Sequence, residues 1–83
     1  MNGSTEVVHL RLPRLQKGGR EPQETKRLQH ILNTLGEDID ETGGYGDDTE
    51  RAVKKFQKKK HLMEDGKVGE ETWAALLTNW LSG

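Results

Sequence analysis

Chemistry in this chain has to come from carboxylates, histidines, amides, lysines and a few aromatic rings, because its 83 residues include no cysteine. That absence excludes thiolate nucleophiles, cysteine-ligated metals and disulfide staples. The acids crowd together as Glu37, Asp38, Asp40, Glu41, Asp47, Asp48 and Glu50. A hydrolase working through two carboxylates holds them apart across a cleft, whereas these lie on one loop and at a helix start, where solvation and capping account for them. Asp38, Asp40, Thr42 and Gly43 imitate the first half of a calcium loop, but Thr49 stands where a bidentate glutamate would close the cage. His9, His30 and His61 are widely separated and form no HExxH pattern, and Ser4 and Ser82 are terminal. Neither zinc hydrolysis nor a Ser-His-Asp site is expected, and no cofactor is implied.

Two groups of side chains could serve binding instead. Tyr45, Trp73 and Trp80 could each set an aromatic face against a ligand. Trp73 is expected in the core. Trp80 reads as a lid over that core, with an exposed stacking platform as the alternative. The second group is Arg51, Lys54, Lys55, Lys58, Lys59 and Lys60, which follow directly on the acids. Anions at the start and cations towards the end of one helix suit its dipole. A basic face for an anionic partner is the other reading.

The elements that must position these groups are short helices. Apolar residues make up 30% and charged residues 33% of the chain, which fits one small domain with a compact core. Leu28, Ile31, Leu32 and Leu35 fall at i, i+3, i+4 and i+7, predicting a helix over about 22–35 that opens on Pro22 and stops at Gly36. A polar loop follows, anchored by Ile39, and three glycines around Tyr45 call for positive φ. Asp47 or Asp48 is expected to cap a second helix over about 48–60, with Ala52, Val53 and Phe56 inward. That helix ends at His61, a residue that can adopt φ > 0 at some cost. After the turn dipeptide Asp65-Gly66, Trp73, Leu76, Leu77, Trp80 and Leu81 mark a third helix. Tyr45, Leu62 and Val68 complete the expected core. Residues 1–21 read as a leader or linker in which Val8, Leu10 and Leu12 alternate as a short extended segment, with Leu12 and Leu15 lying on the bundle. Residues 22–83 form the domain.

The chain also repeats itself. Laying Gly43 on Gly66 brings Tyr45 onto Val68, Gly46 onto Gly69, Asp47-Asp48 onto Glu70-Glu71, Thr49 onto Thr72 and Ala52-Val53 onto Ala75-Leu76. Two turn-plus-helix units, neither able to bury its apolar face alone, imply one shared core. The fold class is therefore all-α, a compact three-helix bundle with two related glycine turns.

The ordered run Leu28-Gln29, Leu32-Asn33, Leu35-Gly36, Gly44-Tyr45-Gly46, Thr49, Ala52-Val53, Phe56-Gln57, Leu62, Asp65-Gly66, Val68-Gly69, Thr72-Trp73 and Ala75-Leu76 resembles the peptidoglycan-binding domain family. These are small helical modules found on bacterial and phage cell-wall hydrolases, and the likeness spans residues 25–81. Thr25, Thr42, Tyr45 and His61 depart from the family pattern; it more often has a β-branched aliphatic, aspartate, phenylalanine and glycine there. The resemblance implies a non-catalytic module, acting as a monomer, that binds peptidoglycan and holds an attached or partner hydrolase at its substrate. Its implied site is a shallow groove by the first glycine turn, with Gln29 and Asn33 beside Gly44, Tyr45 and Gly46, and Asp48 or Gln57 adding hydrogen bonds. Equally open is that Gln29 and Gln57 satisfy loop backbone groups.

Family resemblance places the chain at the cell wall or outside the cell. Met1–Thr5 lacks a basic and then apolar run, so no signal peptide is expected here, and no apolar stretch is long enough to span a membrane. Three alternatives remain: a protein-interaction module on the same groove, a structural spacer, and a nucleic-acid binder using the lysine-rich helix. The last is disfavoured by the formal net charge of −1 and by the lack of aromatics among the lysines.

Overall fold

The computed structural model describes residues 12–82, and most of the expected extended segment, with His9, lies outside them. Among the described residues are three helices, α1 (Pro22–Thr34), α2 (Asp47–Lys59) and α3 (Glu70–Ser82), and no strand. Helix α1 packs against both of the others. Its stripe of Leu28, Ile31 and Leu32 meets Ala52, Val53 and Phe56 of α2 and Trp73 and Leu76 of α3 in one cluster, completed by Leu15, Tyr45 and Val68. Leu35 and Leu77, expected in the core, are half-buried and pack on it; Leu62 is half-buried as well.

Helices α1 and α2 end in the same way. Leu35 closes α1, Gly36 takes φ 113°, Gly36 N–H donates to Asn33 C=O, and Glu37 N–H reaches back to Leu32 C=O. In α2, His61 takes φ 60°, its N–H donates to Lys58 C=O, and Leu62 N–H reaches Gln57 C=O at 2.8 Å. Both are Schellman ends, in which a left-handed residue lets two late carbonyls find donors. A side chain at that residue costs about 1 kcal/mol. His61→Gly is therefore expected to raise stability by about that amount, read as a higher urea midpoint at unchanged slope. A lower midpoint would mean that the imidazole makes a compensating contact.

The start of α2 differs from expectation. Its N-cap is Gly46, in extended conformation, and no side chain caps the first turn. Asp47 instead pairs with Lys17 at 2.6 Å, and Asp48 Oδ1 accepts from the adjacent Thr49 N–H at 2.8 Å. Both still lie in the first turn, where the dipole favours anions. Positive φ is likewise confined to Gly43 (87°) among the three glycines around Tyr45. A Cβ on Gly43 would also lie 3.0 Å from the Pro22 carbonyl oxygen, so that turn sits directly against the start of α1.

Leu15 joins the bundle from outside the helices. It is 2% exposed and exchanges two backbone hydrogen bonds with Val68, of 3.0 and 2.8 Å. Trp73 Nε1–H donates to Pro13 C=O at 2.8 Å, which straps residues 13–15 across α3. Leu12, expected on the bundle too, is 38% exposed.

Candidate functional site

The sequence-expected site residues separate into two kinds. Gln29 and Gln57 are each 1% exposed and spend their amides inside the fold. Gln29 Oε1 accepts from Gly43 N–H at 2.9 Å, while Nε2 donates to Gly44 C=O and Thr49 Oγ1 at 2.9 and 3.0 Å. Gln57 Oε1 accepts from Gly66 N–H at 3.0 Å, while Nε2 lies within donating distance of Lys67 C=O, Thr72 Oγ1 and Asp65 Oδ1. Each glutamine thus pins one glycine turn to the helix that follows it. Glutamine suits the task because one side chain offers both a donor and an acceptor in a fixed plane. In the fold both amides are spent on the turns.

Within the turns, Thr42 Oγ1 accepts from Gly44 N–H at 3.1 Å, as Asp65 Oδ1 accepts from Lys67 N–H at 3.0 Å. A hydroxyl here closes the turn at the position where the family more often has aspartate. The Lys67 N–H, and then the Gln57 amide, hold the Asp65 carboxyl below its ordinary value. Tyr45 is buried as expected, and its hydroxyl donates to Gly66 C=O at 2.6 Å. That bond ties the first glycine turn to the second, and burial pushes the phenol well above its usual value. Asn33 is half-buried and pins the preceding loop, accepting from Ile39 N–H and donating to Ile39 C=O and to Glu41 Oε2. Of the expected residues, Gly44 and Asp48 are exposed and Gly46 is half-buried.

A groove of about 650 Å³ opens next to this turn, along the outer side of α1. Trp73, Leu77 and Trp80 of α3 form one wall, with buried Ile31 beneath and exposed Leu12 alongside. Gln23, Glu24, Lys26, Arg27 and His30 of α1 form the opposite rim, a mix of cations with one carboxylate, and Glu41, one residue before Thr42, closes the end towards the glycine turn. Trp80 is 40% exposed. It is a wall of this groove more than a lid over the core. The sequence did carry a signal for the groove: Trp80 lies one heptad after Trp73, and Lys26 and His30 lie one turn apart on the polar side of α1.

The groove's electrostatics suit binding. Glu41 accepts from Asn33 and lies 3.2 Å from His30 Nδ1, and the Asn33 amide in particular holds its carboxyl below the usual range. A general acid requires the opposite shift. What the groove presents is an amphipathic trough, with an aromatic wall, paired cations and an ionised carboxylate.

Comparison with known proteins agrees with this architecture. Residues 21–76 match the sequence profile of a family described as a peptidoglycan binding domain. A crystal structure of a peptidoglycan-binding protein from Clostridioides difficile, in complex with glutamine hydroxamate, superposes with a TM-score of 0.73 at 36% identity over 77% of this chain. The Burkholderia AP3 phage endolysin superposes with a TM-score of 0.76 at 32% identity over 82% of this chain. The matched part is 40% of the first protein and 26% of the second. With three helices, two pinned glycine turns and a profile match over most of its length, the chain belongs to the peptidoglycan-binding domain family.

Proposed function

We propose that this chain binds peptidoglycan noncovalently through the groove between α1 and α3, without catalysing a reaction itself. The observation that carries the reading is Trp80, a half-exposed indole walling a groove in a member of this family. An indole face covers the apolar side of a sugar ring, while the cations opposite suit the carboxylates of stem peptides. Gly44, Gly46 and Asp48 extend the contact surface beyond Glu41. Gln29, Asn33 and Tyr45 hold that surface in shape from behind, while Gln57 holds the second glycine turn. Residues 22–82 carry the binding unit, with 12–20 strapped onto it.

In a longer protein, such a module would keep a linked hydrolase at an insoluble substrate by raising its local concentration there. The place of action is then the cell wall or its exterior. The phage endolysin likeness supports this role.

Retention of the purified chain on insoluble sacculi, at low and at physiological salt, tests the proposal. Trp80→Ala is expected to weaken retention about tenfold or more, as loss of a central aromatic contact does. Its melting temperature should stay close to that of the parent, since the ring is outside the buried core. Retention unchanged by Trp80→Ala would move the site elsewhere. A parent chain that is not retained at either salt would reject peptidoglycan binding altogether.

A further inference from the structure

The lysine-rich end of α2 has no part in the groove just described. Some of its cations have a structural reason to be there. Arg51 and Lys54 follow Asp47 and Glu50 by one helical turn, a favourable spacing. Lys54 also lies over the second glycine turn, where a Cβ on Gly66 would come within 3.1 Å of its Cε. Beyond them, Lys55, Lys58, Lys59 and Lys60 crowd the helix end. The helix dipole favours cations only in the last turn. Against that, Lys54 and Lys58, and Lys55 and Lys59, are like-charged i,i+4 neighbours that repel. The nearest carboxylate is Glu37, 3.5 Å from Lys55 Nζ. This concentration of charge exceeds what the helix needs.

The same lysines border a cleft of about 130 Å³, which shares no residue with the larger groove. Lys55, Lys59 and Lys60 stand on its rim, and Leu32, Leu35 and Phe56 make its floor. Its remaining members, Glu37 and Asn79, supply acceptors. Asn79 commits its side-chain N–H to Ala75 C=O at 2.7 Å, which leaves its side-chain Oδ1 to accept. The cleft is too small for a disaccharide but has room for one phosphate with its adjoining carbons. Ammonium groups for phosphate oxygens thus stand beside acceptors for hydroxyls and an apolar floor for carbons. Phe56 is buried beneath them, and Trp80, the one exposed aromatic ring among the described residues, stands in the other groove. This face therefore lacks the stacking platform that nucleobases use.

We propose that the C-terminal end of α2 is a second binding surface, for a polyol-phosphate polymer. Phosphates lie against Lys55, Lys58, Lys59 and Lys60, and the intervening hydroxyls donate to Glu37 and Asn79. Exposed lysines hold a single anion weakly. A polymer brings several phosphates at once and releases a counter-ion for each.

Titration of the full chain with poly(glycerol phosphate) across a salt series is the test. Log affinity should fall with log salt at a slope of about −3, the value for four phosphate contacts. The triple variant Lys55→Gln/Lys59→Gln/Lys60→Gln should bind at least tenfold more weakly, with a slope near −1. It should melt within a few degrees of the parent, because the relieved Lys55–Lys59 repulsion offsets the lost dipole interaction and the lost Glu37 pair. Trp80→Ala should leave this affinity unchanged while weakening retention on sacculi, so the two surfaces can fail independently. A parent chain that ignores the polymer, or a triple variant that binds it as well as the parent, overturns the proposal. So does single-stranded DNA bound more tightly than poly(glycerol phosphate), which would make the surface a nucleic-acid site.

Discussion

Gln57→Leu is expected to destabilise the protein by about 3 kcal/mol, in a domain whose size implies a total of roughly 4–10 kcal/mol. Leucine is only about one methylene larger than glutamine, so most of the loss is one of hydrogen bonds. Four partners lose the amide: Gly66 N–H, Lys67 C=O, Thr72 Oγ1 and Asp65 Oδ1. Gly66 N–H and Thr72 lie in buried residues, where an unmatched polar group costs its full desolvation. Among the described residues every buried side-chain nitrogen and oxygen has a partner, so the substitution breaks a network with no slack. Gln29→Leu should cost less, about 2 kcal/mol, because Gly44 is exposed and water can replace the amide there. Urea unfolding at constant slope measures both. A loss below about 1 kcal/mol for Gln57→Leu would show that the second turn holds its shape without the pin.

Leu15→Ala should cost about 3 kcal/mol, through lost burial and the cavity left in the core cluster. Shortening the chain to begin at Glu21 should cost more. It removes Leu15, both backbone bonds to Val68, and the Pro13 carbonyl that accepts from Trp73. The indole N–H and the Val68 amide would then depend on water, at a place the fold now keeps dry. Thermal unfolding of the two variants gives the ranking, and hydrogen exchange at the Val68 amide reports the bridge directly. Equal melting of the shortened and full chains would mean that residues 12–20 are a passive tail.

This strap also marks how far the sequence could be read. Leu15 sits between Pro13 and Gly18-Gly19 with no periodic neighbours, so nothing local identifies it as core. Its burial comes from a bridge to Val68, a residue that other contacts bring alongside it. The groove was legible only in pieces. Trp80 stood out as an aromatic candidate, whereas Lys26 and Arg27 did not, and α1 and α3 had to be packed before they faced one another.

By itself the sequence determined the three helices, their ends at Gly36 and His61, most of the core and the family, because these follow from spacing and backbone preference within a turn or two of chain. Tertiary structure alone decided what each polar group does. Gln29 and Gln57 could read as ligand contacts or as turn pins, and only their burial beside Gly43 and Gly66 assigns them to the turns. The Tyr45 hydroxyl could face solvent until Gly66 C=O, 21 residues on, took its proton donor. Apolar side chains are placed by period, since any buried neighbour serves them. A hydrogen-bonding side chain needs one partner at one distance and angle, and that partner is set by how distant segments pack.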